Sequence, residues 1–169
     1  VTRTPVKSTY RGYEVIAMPP PTSGGVTMIE ALNILEGYDL AKLGANSADT
    51  VHLMAESMKR AYADRAKYIG DPDFNPTMPI DRLISKAHAD ELRKTISLKK
   101  TSPASPERFD WPHESDETTH VSIVDGSLNA AAMTYTLEQG YGVKIVVPGA
   151  GFLLNNEMGD FNAGPGLTT

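Results

Sequence analysis

The 169-residue sequence contains no cysteine. Disulfide bonds and thiolate metal sites are therefore excluded, while the redox compartment of the protein stays open. The sequence also lacks an apolar run near the length of about 20 residues that a membrane-spanning helix needs. Acidic residues outnumber basic ones and give a net charge of -5, and lysine and arginine form no cluster. This balance argues against nucleic acid as a partner.

What remains is the composition of a globular domain. Hydrophobic residues make up 40% of the chain and charged residues 22%, which are ordinary values for a folded soluble protein. A chain of this length is one domain's worth and can bury a substantial core. No internal repeat and no low-complexity segment interrupts it.

The segment 119–125 alternates in a way that predicts a β-strand. Val121 and Ile123 share one face, and His120 lies on the other. The pair 125–126, Asp-Gly, supplies turn chemistry, because glycine tolerates positive φ and aspartate bonds nearby backbone. These features together predict a hairpin.

The segment 129–137 supplies the second strand of this hairpin. It carries a run of alanines followed by Met, Thr and Tyr, and such small side chains suit a central strand with a layer on both faces. Two hydroxyls, those of Thr118 and Thr136, then stand at comparable ends of neighbouring strands. On spacing alone this is a hairpin with threonines, since threonine is common in strands for packing reasons.

Upstream of the hairpin, the pattern predicts a strand and a helix. Residues 1–10 are mixed and turn-prone, residues 13–18 have strand composition, and three prolines end the strand. A helix then begins at Thr22 or Ser23 as its cap and ends at Gly37.

A longer helix capped by Ser47 follows, and helical spacing resumes over residues 80–96. The long helix has an apolar stripe at i, i+3, i+4 spacing, formed by Val51, Met54, Ala55, Met58, Ala61, Tyr62, Arg65 and Ile69. Asp64 and Arg65 are candidates for a structural ion pair, and His52 for a helix-surface histidine. Residues 99–116 have the composition of a linker, whereas residues 145–147 and 151–154 predict short strands.

Several segments resemble the γ-glutamyltranspeptidase family, also called glutathione hydrolases, which are N-terminal nucleophile hydrolases. The resemblance covers essentially the whole chain. Its most specific parts are 117–120 (Glu-Thr-Thr-His), 134–137 (Thr-Tyr-Thr-Leu) and 153–161 (Leu-Leu-Asn-Asn-Glu-Met-Gly-Asp-Phe), supported by 11–13, 18–25 and 62–65.

This resemblance implies an α+β fold, a four-layer αββα sandwich of the N-terminal nucleophile hydrolase type that is only partly contained here. It also implies an excerpt of a longer precursor. Residues 1–117 would be the C-terminal part of the large subunit and residues 118–169 the N-terminal part of the small subunit, together one incomplete domain. The family's upstream arginine and its downstream paired serines and oxyanion glycines have no counterpart in the chain. We therefore expect this chain alone to be inactive and its full-length parent to be active.

The resemblance also assigns chemistry to the two threonines. The precursor would cut itself between Glu117 and Thr118, and Thr118 would then serve as the catalytic nucleophile with its own α-amine as base. Thr136 matches the second threonine, which orients the nucleophile. No cofactor is implied.

Substrate binding is assigned to acidic residues in the same way. Glu157 and Asp160 match positions that hold the α-ammonium of the γ-glutamyl group, as charge-assisted hydrogen bonding requires. Glu138 departs from the family, because many members have asparagine there. Without the surrounding motif, these acids would be interpreted as solvated turn residues, and Asn155 and Asn156 as residues that brace the loop.

The implied partners are a small γ-glutamyl substrate such as glutathione, with water, an amino acid or a peptide as acceptor, and the remainder of both subunits. Neither nucleic acid nor a membrane span is implied, and the location expected by resemblance is periplasmic or secreted. His120 could be suspected as a base but is interpreted as structural. His113, Asp116 and His120 lack a recognised metal-ligand spacing.

Two rival functions stay open. One is a related amidohydrolase that acts on poly-γ-glutamate or on a cephalosporin side chain. The other is a non-catalytic fragment or a degenerate homologue.

Overall fold

The computed structural model describes residues 2–103 and 118–160. They lie in two compact units, which are described separately below. Most of the predicted linker, the cleavage residue Glu117, and the two metal candidates His113 and Asp116 lie outside the described residues.

The first unit begins with a hairpin. Strands β1 (Val6–Tyr10) and β2 (Tyr13–Ala17) pair antiparallel, across a turn in which Arg11 and Gly12 both have positive φ, 50° and 88°. The strand predicted over residues 13–18 is confirmed. The prediction that residues 1–10 are mixed and turn-prone is wrong for β1. This strand has one buried apolar residue, Val6, among polar ones, so its sequence shows little of the alternation that predicts a strand.

Five helices follow in the first unit. They are α1 (Gly24–Glu36), α2 (Leu40–Leu43), α3 (Ala48–Tyr68), α4 (Ile80–Leu83) and α5 (Lys86–Arg93). The predicted boundaries at Ser23, Gly37 and Ser47 are confirmed, and the Ser47 hydroxyl accepts from the amide of Thr50 at 3.2 Å. The continuous helix predicted over residues 80–96 is wrong. Ser85 interrupts it, because its side chain caps α5 by accepting from the amide of His88 at 3.2 Å.

The core of the first unit lies where the hairpin meets the helices. Its buried members are Val6, Val26, Ile29, Ile69 and Leu83. Gly25 permits the close approach of α1 to the end of β2, since a Cβ there would stand 2.2 Å from the Met18 carbonyl oxygen.

Helix α3 buries only part of the predicted stripe, since Ala61 and Ile69 are buried but most of the other members are not. Val51, Met54 and Met58 are 53%, 39% and 43% exposed, so the interpretation of the two methionines as core residues is wrong. The buried face instead contains Thr50, Leu53, Glu56, Ser57 and Ala61. Both faces satisfy i, i+3, i+4 spacing, and the less apolar one packs against α1.

The ion pair predicted between Asp64 and Arg65 is also not formed. Asp64 Oδ2 contacts His88 Nε2 at 2.7 Å, and Arg65 Nε donates to Ser23 Oγ at 2.8 Å. Consecutive side chains on a helix point about 100° apart, so each finds a partner on a different neighbouring segment. His52 lies on the helix surface as predicted, where Nε2 contacts the Ser97 carbonyl at 2.7 Å.

A fully buried carboxylate ties α3 to the segment after α5. Glu56 contacts Lys59 Nζ at 2.5 Å and Arg60 Nη1 at 2.8 Å, and it accepts from the Ser102 amide at 3.0 Å. Burial acts to raise the pKa of this carboxyl, but hydrogen bonds from Lys59, Ser102 and Arg60 outweigh burial and hold it well below its usual range. The charge is therefore kept in the folded state.

The second unit is built on the predicted hairpin. Strands β3 (Thr118–Val124) and β4 (Ala130–Thr136) pair antiparallel over seven residues each. Asp125 closes the turn as predicted, because its Oδ1 accepts from the amides of Ser127 and Asn129 at 2.8 and 2.9 Å.

Beyond β4 the second unit has little regular structure. The short strands predicted at 145–147 and 151–154 reduce to one antiparallel bridge between Val146 and Leu153. A single turn of 3₁₀-helix, Glu157–Asp160, replaces the predicted loop. In the described ranges of both units, no helix is long and apolar enough to cross a membrane.

Replacing Glu56 with Gln in the full-length protein should lower the free energy of unfolding by about 3 kcal/mol or more. The reason is that two cations would lose a buried partner. The matched control is Glu14→Gln, which removes the partner of Lys7 in an exposed ion pair and should cost less than about 1 kcal/mol. Urea denaturation at pH 7 measures both, and equal losses would contradict the account.

The same carboxyl predicts a pH dependence. Its folded pKa is lowered, so its stabilisation is fully present above the unfolded value of about 4.3 and is lost as the pH falls below it. The difference in stability between wild type and Glu56→Gln should therefore shrink progressively on acidification.

Candidate active site

Thr118 and Thr136 are directly opposite one another in the β3–β4 ladder. Directly opposed residues in an antiparallel pair have Cβ atoms about 4.5–5.5 Å apart and project from the same face. The structure therefore places the two predicted catalytic hydroxyls side by side, at the start of one strand and the end of the other.

The same face continues as a polar row. His120 pairs with Thr134 and Ser122 with Ala132 in the register. His120 Nδ1 lies 2.8 Å from Thr134 Oγ1, and Nε2 lies 3.0 Å from Ser122 Oγ. Both ring nitrogens thus have partners within the hairpin, which agrees with the interpretation of His120 as structural.

The opposite face of the hairpin is largely apolar. Val121 faces Met133, and Thr119 faces Tyr135. Within the second unit this face is open, since Ile123 and Met133 are both 61% exposed. The alternation of polar and apolar faces predicted from the sequence is confirmed, and residues 118–160 of this unit cover neither face.

The segment after β4 brings an acidic residue to the threonine pair. Thr136 Oγ1 accepts from the amide of Glu138 at 2.9 Å. Glu138 has a φ of 74°, an uncommon conformation for a residue with a side chain. One of its carboxylate oxygens, Oε2, is buried and has no hydrogen-bond partner among the described residues.

Two asparagines fix the position of the second acidic residue. The Asn156 amide donates to the Leu137 carbonyl at 3.2 Å, and its Oδ1 accepts from the Gln139 amide at 3.3 Å. Asn155 Oδ1 accepts from the Glu157 amide at 3.1 Å. The predicted bracing role of both asparagines is confirmed, and it ties Glu157 to the end of β4.

Gly142 makes a contact that the sequence did not reveal. Its φ is 55°, and a Cβ would stand 2.2 Å from the Leu154 carbonyl oxygen. That same carbonyl accepts from the Val143 amide at 3.1 Å. The only sequence signal was a glycine in a loop, which does not say what the glycine approaches.

The second unit therefore gathers Thr118, Thr136, Glu138 and Glu157 around one end of the hairpin. Asp160 ends the 3₁₀ turn that begins at Glu157. A pair of hydroxyls beside carboxylates can combine a nucleophile with a binding site for a cationic group.

Thr118 is the first residue of β3 in an α+β fold, the placement that the resemblance to N-terminal nucleophile hydrolases predicts for it. The chain belongs to the gamma-glutamyltranspeptidase family, whose sequence profile matches residues 1–168. The family predicted from the sequence is thus confirmed.

Known relatives agree with this assignment. The chain is 48% identical over 169 residues to the glutathione hydrolase proenzyme of Escherichia coli (strain K12), covering 99% of this chain and 29% of that protein. It is 43% identical over 164 residues to the acylase ACY 1 proenzyme of Pseudomonas sp. (strain SE83), covering 97% and 29%. The chain thus spans about 29% of the length of these curated relatives.

A solved structure confirms the predicted fold class. The crystal structure of Helicobacter pylori gamma-glutamyltranspeptidase matches with a TM-score of 0.58 and 46% sequence identity, covering 60% of this chain and 29% of that chain. The α+β class of this enzyme family is therefore the class of the present chain.

Gly142→Ala in the full-length protein should detach the 138–142 segment from the 153–157 segment, because the new methyl group collides with the Leu154 carbonyl. Hydrogen exchange should accelerate at the amides of Val143 and Asn156. Gly149→Ala is the matched control, since Gly149 also has a positive φ, 79°, but open space around its Cβ position. Similar acceleration in both variants would mean that backbone strain, not the contact, is responsible.

Proposed function

We propose that this chain is part of an enzyme that transfers the γ-glutamyl group of glutathione or a related compound to water or to an amino-acid or peptide acceptor. The transfer would pass through an ester on Thr118. The observation that carries the proposal is the pairing of Thr118 with Thr136 at one end of the β3–β4 ladder. The relatives named glutathione hydrolase proenzyme support it.

Self-cleavage comes first. The Thr118 hydroxyl attacks the carbonyl carbon of Glu117, the C–N bond between the two residues breaks, and the nitrogen takes up a proton as the new α-amine. Water then hydrolyses the resulting ester, which releases the Glu117 carboxyl group and regenerates the hydroxyl. Relatives that are named proenzymes are consistent with such processing.

The new amine then supplies the base for turnover. An α-amine has a pKa of about 7.7–8.0, so a useful fraction is unprotonated near neutral pH. It accepts the proton of the Thr118 hydroxyl as the oxygen attacks the γ-carbonyl, and it returns that proton to the departing amine. Water or an acceptor amine next attacks the ester, takes the γ-glutamyl group and restores Thr118.

Thr136 is proposed to orient the nucleophile. Its oxygen already accepts a hydrogen bond from the Glu138 amide, which fixes the hydroxyl beside the backbone. Its own proton can then be donated to the oxygen of Thr118, the residue opposite it in the ladder. This contact would hold the nucleophile along the line of attack.

The acidic residues are proposed to hold the substrate's α-ammonium. Glu157 and Asp160 lie on one 3₁₀ turn that is braced to the end of β4. Glu138 adds a third carboxylate where many family members have asparagine. A denser negative charge would favour donors that carry a free α-ammonium and would alter the balance between hydrolysis and transfer.

The full-length parent is proposed to supply the remaining parts. Residues 1–117 would end the large subunit and residues 118–169 begin the small one, with the rest of both subunits as partners. No cofactor takes part in the steps above. A periplasmic or secreted location is proposed on family grounds.

Similarity to an acylase at 43% identity favours a second candidate, an amidohydrolase with another acyl substrate. The two functions differ in whether the substrate carries an α-ammonium. Values of kcat/KM for a γ-glutamyl anilide and for its analogue without the α-amino group should differ by orders of magnitude in favour of the former. Equal values would favour the acylase.

Thr118→Ala in the full-length protein should abolish self-cleavage, because no hydroxyl remains to attack Glu117. Intact mass spectrometry should show two subunits for the wild type, divided before Thr118, and one uncut chain for the variant. Thr118→Ser keeps the hydroxyl and should still be cut. An intact wild type that turns over substrate would refute the proposal, and a processed but inactive wild type would favour the non-catalytic alternative.

Thr136→Val should lower kcat by about 10²-fold, since a positioning hydroxyl is lost while the shape is kept. KM for a γ-glutamyl anilide should change little. The matched control is Thr134→Val, two residues earlier on the same face, which removes only the contact to His120 and should reduce kcat much less. Equal losses in the two variants would remove Thr136 from the proposed role.

A further inference from the structure

Three helices of the first unit bring an unusual set of side chains together. Glu30 lies on α1, Asp64 on α3 and His88 on α5. Each offers one donor atom, and the three atoms lie within 4.8 Å of one another. The residues are separated by 34 and 24 positions in the chain, so no local pattern in the sequence indicates the cluster.

The cluster is buried. The side chains of Glu30 and His88 are 1% and 6% exposed, and that of Asp64 is 18% exposed. Glu30 Oε1 faces His88 Nε2 at 3.9 Å, yet it has no hydrogen-bond partner among the described residues. A buried, unpartnered oxygen that faces a histidine and lies beside a second carboxyl group is a candidate ligand atom.

The charges point to a cation. Among the described residues, the ion-pair partner shared by Glu30 and Asp64 is His88, and neither acid has a lysine or arginine within ion-pair distance. This contrasts with Glu56 on the adjacent helix, which has Lys59 and Arg60 at hand. The Glu30 cluster has two carboxyl groups and a histidine, a set of donors that suits a bound cation.

The donor geometry fits a first-row divalent ion. A tetrahedral zinc with ligand bonds of about 2.0–2.2 Å has donors roughly 3.4 Å apart. The observed separations are 2.7 Å for Asp64 to His88 and 3.9 Å for Glu30 to His88. An ion would replace the hydrogen bond between Asp64 and His88, and small side-chain rotations would then seat it between one nitrogen and two oxygens.

The other nitrogen of the histidine also has suitable surroundings. His88 Nδ1 is buried and has no hydrogen-bond partner among the described residues, and Glu91 Oε2 lies 3.9 Å away. Metal-bound histidines commonly donate their second N–H to a carboxylate, which fixes the ring and its tautomer. Glu91 is placed to accept that proton after a small movement.

We propose that Glu30, Asp64 and His88 form a structural site for a divalent transition-metal ion such as Zn²⁺, which joins helices α1, α3 and α5. Nε2 of His88 would bind the ion, with one oxygen from each carboxylate, and water would complete the tetrahedron. The site lies in the first unit and takes no part in the proposed γ-glutamyl chemistry. Its failure would leave that proposal untouched.

The test uses the full-length protein, stripped with a chelator and titrated with Co²⁺ and Zn²⁺. We expect one Co²⁺ to bind with the visible absorption bands of a tetrahedral N/O site, and Zn²⁺ to displace it and raise the melting temperature. Glu30→Gln and His88→Gln should each weaken Zn²⁺ binding by more than the 10–100-fold typical of outer-shell changes, and Glu91→Gln by about tenfold.

His52→Gln is the matched control, because it removes an exposed histidine from α3 and should leave the cobalt spectrum and stoichiometry unchanged. Glu30→Gln guards against misfolding, since it preserves shape and removes a buried charge. Two results would overturn the proposal: a wild type without cobalt absorption, or a folded Glu30→Gln variant that binds the ion as tightly as the wild type.

Discussion

The pairing of Thr118 with Thr136 is the constraint on which the candidate site depends. Because residues of an antiparallel ladder face each other in a fixed register, the hairpin sets the position of both hydroxyls before any substrate arrives. A slip by one residue would send Thr118 to the other face. The turn at Asp125, with its two amide hydrogen bonds, helps to hold that register.

Two buried carboxyl groups in the first unit, those of Glu56 and Glu30, have different surroundings. Glu56 is surrounded by donors and stays charged, whereas Glu30 faces another carboxylate and a histidine. The first arrangement is complete in the chain itself and contributes to stability. The second has no lysine or arginine partner among the described residues, and this difference is why it is proposed as a ligand site.

Local signals in the sequence predicted element boundaries well. Ser47 marks a helix start because its hydroxyl accepts from the nearby Thr50 amide, a local contact. Ser23 and Gly37 also lie at the ends of α1, although the Ser23 side chain makes no capping bond there. The hairpin was equally predictable, since alternation and the Asp125 turn are local features. The family motifs then predicted catalytic roles for Thr118 and Thr136. The structure adds that the two residues face each other in the β3–β4 ladder.

Contacts between distant segments of the chain could not be predicted from the sequence. Helix α3 offers two faces with suitable spacing, and only packing against α1 decides that Leu53 is buried while Met54 is exposed. The partner of Asp64 is a histidine 24 residues away, and Gly142 matters through its contact with Leu154. None of these follows from spacing, because each depends on a segment distant in the chain.

The most direct test of the account is to trap the covalent intermediate. The full-length enzyme would be mixed with a slowly reacting γ-glutamyl donor, quenched in acid, digested and analysed by peptide mass spectrometry. The account predicts one γ-glutamyl group in ester linkage on the peptide whose first residue is Thr118. A γ-glutamyl group attached to another residue, or a working enzyme in which Thr118 is still joined to Glu117, would contradict it.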